Sequence, residues 1–83
     1  MIDTRENALA EAKAEIRRAR RAKYFPARAA ETRREWAKNS LQVAKNWRDG
    51  GDMEKAVLVA NVARGHLIIA RAWDREAARI GAK

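Results

Sequence analysis

Between Met53 and Trp73 the chain reads MEKAVLVANVARGHLIIARAW, its densest run of large apolar side chains. At 3.6 residues per turn, Val59, Val62, His66, Ile69 and Trp73 fall on one line of a helix, with Ala63 and Ala70 beside them. Ala56, Ala60 and Leu67 make a second row and Leu58 widens the stripe, so that Glu54, Asn61, Arg64 and Arg71 mark only a narrow polar strip. A helix apolar around so much of its circumference needs cover from more than one side, by helices of its own domain or by another subunit. The rest of the chain has to supply that cover.

Little is available to do it. Eighty-three residues make one domain, near the size at which a single core only just outweighs chain entropy. With no cysteine there is neither a disulfide nor a thiolate metal site to supplement packing. The segment 56–70 is interrupted by Asn61, Arg64 and His66 and is shorter than the roughly 20 apolar residues of a membrane span, so a transmembrane helix is not expected. MIDTREN places Asp3, Arg5 and Glu6 ahead of any apolar run, unlike a secretory signal, and a cytoplasmic protein is the expectation.

Three helices are predicted. Asp3 and Glu6 form a D-x-x-E start for helix 1, about Thr4 to Lys23, whose inward line is Leu9, Ala12, Ile16 and Ala19. Two large groups in five turns make this the most weakly docked helix. Tyr24-Phe25-Pro26 reads as a break, because proline disfavours helical geometry at the residue before it and suits the first position of a new helix; a kink within one long helix is the alternative. Helix 2, about Pro26 to Arg48, carries Ala29, Arg33, Trp36, Ser40, Val43 and Trp47 in steps of three and four, with Ala30, Ala37 and Ala44 in a parallel row. Asp49-Gly50-Gly51-Asp52 closes helix 2 with a left-handed glycine and caps helix 3, about Asp52 to Ile80, with Asp52. So short a connection predicts an antiparallel helix 2/helix 3 hairpin. The expected fold is a small all-α three-helix bundle, with homodimerisation covering what helix 1 leaves bare.

The segment from Ser40 to Trp73, with its Gly-Asp turn and Ala56, Ala60 and Ala63 following, resembles the helical hairpins of tetratricopeptide-type and related three-helix interaction modules. The tetratricopeptide period and consensus are missing from this chain. The resemblance therefore implies architecture, and no family's binding residues are carried over.

Few residues suggest chemistry. Trp36, Val43, Trp47, Val59, Val62, His66, Ile69 and Trp73 are the candidate core or dimer interface, the tryptophans being otherwise partner anchors or platforms for bases. Arg33 interrupts the apolar line of helix 2, where its stem would cover apolar surface while its head reaches water, or where it pairs with a partner. His66 reads as a hydrogen-bonded interior histidine, with a pH switch as the sharper option. Gly65 beside it costs a helix interior about 1 kcal/mol relative to alanine, which hints at close helix approach. Asp49, Asp52 and Glu54 lack the spacing of a calcium loop, and no metal, cofactor or catalytic constellation is expected.

Charge is the strongest functional signal. The net charge is +8, and Lys13 to Lys38 holds ten basic residues against Glu15, Glu31 and Glu35. Such a balance favours an anionic partner. Arg17, Arg18, Arg20, Arg21, Lys23, Tyr24, Phe25, Arg28, Arg33 and Arg34 are the candidate partner-binding residues. Arginines at 17, 18, 20 and 21 surround the helix rather than forming one stripe, and helix 3 is apolar where a base-reading helix would be polar. The leading expectation is a non-enzymatic interaction protein, an accessory factor, inhibitor or adaptor, binding an acidic partner protein. The alternative is a nucleic-acid-binding protein contacting phosphates through the 17–34 region. Arginine in excess of lysine and abundant alanine point to a GC-rich bacterial or phage genome.

Overall fold

A computed structural model describes residues 4–20 and 25–81. Every regular element among them is a helix: α1 (Thr4–Ala19), α2 (Pro26–Asp49) and α3 (Met53–Gly81). They pack as a bundle of 50 × 25 × 19 Å, whose long axis matches the ~43 Å that the 29 residues of α3 span at 1.5 Å each. Both α1 and α2 pack on α3, with no close backbone approach between α1 and α2 among the described residues. The apolar C-terminal helix is thus the central one.

The breaks follow local chemistry. Pro26 takes the first position of α2, where its missing N–H is no loss, and Ala29 N–H donates to Phe25 O at 3.0 Å. Phe25 precedes it with φ −129°, so the chain starts a second helix here instead of kinking one. Helix 1 is shorter than predicted, ending at Ala19 with Arg20 in a turn. Arg21, Lys23 and Tyr24, and Asp3 of the start signal, lie outside the described residues. At the other turn Gly51 adopts φ +89°, while Gly51 N–H donates to Arg48 O at 3.0 Å and Asp52 N–H to Trp47 O at 2.9 Å. These two bonds close α2 as a Schellman motif. Asp52 then accepts the N–H of Lys55 at 3.0 Å and caps α3.

The burial pattern departs from the sequence reading. Between α2 and α3 the buried side chains are Ala30, Ala37 and Ala44 on one helix and Ala56, Ala63 and Ala70 on the other, each set spaced by seven. The row of large residues is shifted out of this seam: Trp36, Val43, Trp47 and Val62 are exposed, Val59 and His66 are half-buried, and only Ile69 and Trp73 are buried. As a core, the eight-residue line is therefore corrected to its two C-terminal members. The reason is steric: methyl groups let two helices close up, and large side chains one position away are then pushed to the flanks. Ile69 and Trp73 stay inside because α1 covers that end, bringing Ala8 and Ala12, with Ile16 and Ala19 alongside, against Ala30. Leu9, expected inside, instead lines a surface cleft.

Gly65 sits where α1 begins on α3. A Cβ there would lie 3.9 Å from Ala8 Cβ and 4.0 Å from Thr4 Cγ2, ordinary van der Waals distances. Gly65→Ala should accordingly stabilise the fold by up to about 1 kcal/mol through helix propensity. Two residues away, Ala63→Leu overfills the alanine seam and should cost about 1–3 kcal/mol. Chemical denaturation midpoints of the two variants should move in opposite directions.

Candidate functional site

Two features of the interior and one of the surface carry chemical information. The first interior one is built on Arg33. Its position on the α2 line, between Ala29 and Trp36, turns it towards α1 and α3, where it is buried. One guanidinium nitrogen donates to Glu11 Oε1 at 3.1 Å and, closer still, to Glu15 Oε2. Another lies 2.9 Å from His66 Nδ1. A guanidinium only donates, so His66 Nδ1 is the acceptor and the ring is neutral with its proton on Nε2. Glu15 is held from a third direction, its Oε1 accepting the indole N–H of Trp73 at 2.7 Å. Arg33 also lies 4.9 Å from the Trp36 ring centroid, and Trp36 meets His66 edge-on at 5.5 Å.

This cluster ties the three helices together: Glu11 and Glu15 come from α1, Arg33 and Trp36 from α2, and His66 and Trp73 from α3. The expectation that the Arg33 head reaches water is corrected, because two carboxylates and an imidazole offset its desolvation within the bundle. The sequence does carry a signal for this, in that Glu11 and Glu15 are like charges four apart, a repulsive spacing unless a cation lies between them. Burial and the nearby Arg33 charge hold His66 below its ordinary 6.5, against the opposing pull of Glu11 and Glu15. At Glu15 burial pushes upward, but the bonds from Arg33 and Trp73 and the charges of Arg33 and Arg18 outweigh it and hold the carboxyl below 4.5.

A second buried charge, Glu76, closes the far end of α1. It receives Arg20 through Nε at 3.1 Å and a terminal nitrogen at 2.5 Å, and Arg79 in the same manner at 3.1 and 2.5 Å. Glu76 continues the α3 line of His66, Ile69 and Trp73 by one further step of three, which the sequence reading ended at Trp73.

These pairings redistribute the candidate partner-binding residues. Arg20 is engaged by Glu76, Arg33 by Glu11 and Glu15, and the exposed Arg34 by Asp74 at 2.9 Å. Arg17, Arg18, Arg28 and Phe25 are exposed. A different set of arginines converges. In the cleft between α1 and α3 on the side away from the Arg33 cluster, Arg5, Arg64, Arg71 and Arg75 surround Leu9, Leu67 and Ile68. The cleft, roughly 580 Å3, has no carboxylate in its lining, and Arg64, Arg71 and Arg75 have no ion-pair partner among the described residues. Arg64, Arg71 and Arg75 share one face of α3 at steps of seven and four, a spacing legible in the sequence; Arg5 and Leu9 join them only through docking of α1. Among the described residues no group of three or more His, Cys, Asp or Glu is placed to hold a metal ion, and no helix is long and apolar enough to cross a membrane.

The Arg33 cluster has a pH signature. Below 6.5 the unfolded chain protonates its histidine while folded His66 still resists, so stability should fall as pH drops through that window. Glu15 adds a second loss below 4.5, where the unfolded carboxyl takes a proton before the folded one does. Urea unfolding as a function of pH should therefore show stability falling stepwise on acidification. Arg33→Met should cost about 3 kcal/mol, near the low end for breaking a buried pair because Glu11 stays in reach of water. It should also move the His66 imidazole titration upward when followed by NMR, since the nearest positive charge is gone.

Compared with known proteins, the chain matches no family model, no curated protein and no solved structure.

Proposed function

We propose that this protein acts by binding and not by catalysis, as a small helical accessory factor, inhibitor or adaptor whose partner is an acidic protein. The observation that carries the reading is the α1/α3 cleft, where four arginines ring an apolar floor of Leu9, Leu67 and Ile68 and no carboxylate lines it among the described residues. Phosphate backbones need cations but make no use of such a floor. An amphipathic acidic helix uses both: an apolar anchor sits on the leucines and flanking carboxylates meet the guanidinium groups, which bind them bidentately. The net charge of +8 would speed that encounter at low ionic strength.

The same reading takes α2 and α3 as an antiparallel hairpin, supported by the order of their contacts. Lys55 lies over Trp47 beside the turn, Trp36 meets His66 midway, and Arg34 meets Asp74 at the far end. It also has the protein working in the cytoplasm of a bacterium or of a phage-infected cell, as a homodimer and without a cofactor.

Fluorescence anisotropy with two labelled probes tests the reading: a synthetic amphipathic helix of glutamate and leucine, and a short DNA duplex. The peptide should bind, and the triple variant Arg64→Ala, Arg71→Ala, Arg75→Ala should weaken it about tenfold or more. Duplex binding should be weak at physiological salt and fall steeply as salt rises. Tighter binding of the duplex than of the peptide at physiological salt, or peptide affinity indifferent to the three arginines, would replace an acidic protein with nucleic acid or remove the cleft from the account.

A further inference from the structure

The groove that receives α1 does not end where α1 ends. On α3 the line under α1 runs back from Glu76 through Ile69 to Val62 in steps of seven, with Leu58 four residues further on. On α2 the matching line runs from Arg33 through Trp36 and Val43 to Trp47. Thr4, the first residue of α1, lies at Gly65, and the start of α1 shares an open cleft with Leu58, Asn61 and Val62; among the described residues no third helix runs alongside the twelve α3 residues from Met53 to Arg64, about 18 Å of helix. At its border, level with His66, Trp36 is 47% exposed, and along it Trp47 is 39%, Leu58 60% and Val62 53% exposed. The two indoles alone leave roughly 200 Å2 open.

We propose that this bare stretch of the α2/α3 pair is the self-association surface, and that its occupant is the same stretch of a second copy, two helices from each chain completing a four-helix bundle. The inference rests on the homodimeric reading and adds the surface that makes it. Three observations favour a second copy over another partner. First, charge: residues 40–64 hold Lys45, Arg48, Lys55 and Arg64 against Asp49, Asp52 and Glu54, so a chain of net charge +8 is nearly neutral just where its apolar side chains are bare. Two copies meet there without the repulsion that the rest of the surface imposes, and an acidic partner gains nothing there that the arginine cleft does not offer better. Second, area: two indoles, two valines and a leucine left 39–60% exposed make a patch on the order of 500 Å2, at the upper end of what a monomer usually leaves, which the surrounding helix surface extends towards the ~800 Å2 per partner of a stable interface. Third, shape: a two-helix segment that no third helix accompanies among the described residues is half of a four-helix arrangement, and a two-fold axis lets one patch serve as both halves.

Sedimentation equilibrium of the full chain across micromolar concentrations, with Val62→Glu and Leu58→Lys as variants and Arg71→Glu on the opposite side of α3 as control, tests this. All three positions are exposed, so the fold is expected to survive, which far-UV circular dichroism checks. The unmodified chain and Arg71→Glu should reach twice the monomer mass. Val62→Glu and Leu58→Lys should each raise the dissociation constant about 100-fold, since each substitution falls on both sides of the interface. Acrylamide should then quench tryptophan more readily in these variants. A monomer at every concentration would overturn both dimer and surface. A dimer undisturbed by either variant would keep the homodimer and overturn this surface. Should either variant lose helicity, Trp47→Gln, beside the turn and clear of α1, gives the same reading.

Discussion

The approach of α2 to α3 on six alanines governs the rest of this structure. Ala30, Ala37 and Ala44 meet the helix carrying Ala56, Ala63 and Ala70, and a seam of methyl groups brings two backbones close while burying little area per residue. Each methyl contributes roughly 0.8 kcal/mol, well short of what a leucine would. Close approach then decides where everything larger goes. With no room in the seam, the tryptophans and valines of α2 and α3 line its edges, where only a third helix or another molecule can cover them.

α1 performs that covering at one end only, and does so with few apolar groups. Ala8, Ala12, Ile16 and Ala19 pack on Ile69 and Trp73, and charge makes up what they lack. Arg33 draws Glu11 and Glu15 inward, Trp73 shares Glu15, and Arg20 reaches Glu76 beyond the last turn. Buried ion pairs contribute less net stability than apolar packing of the same volume, but a misplaced register would strand a charge and is strongly disfavoured. The Arg33 cluster thus specifies where α1 sits along α3, a choice that alanines alone leave loose.

That placement divides the surface into two kinds. The far side of α3, joined by Arg5 and Leu9 from α1, is a basic cleft with an apolar floor. The opposite groove, beyond the start of α1, is apolar and almost neutral. The proposed acidic partner would take the first and the proposed second copy the other, and because the two surfaces lie on different sides of the same helix, occupation of one would leave the other open.

Periodicity, caps and breakers are local properties, and they were sufficient for the helix count, the Pro26 start, the Gly51 closure and the central place of α3. The alanine rows and the arginine face at 64, 71 and 75 are equally visible in one dimension, because residues seven apart share a face whatever the helix packs against. What the amino-acid order left undecided is which of two adjacent rows on the same helix goes inside. Trp36, Val43 and Trp47 look more like a core than Ala30, Ala37 and Ala44 do, by transfer free energy alone. Only the interhelical distance decides the matter, and it is a joint property of two helices. The partners of Arg33 belong to the same class: the i,i+4 glutamates announce that a cation is needed, but which of nineteen basic residues answers depends on where α1 is laid down in three dimensions.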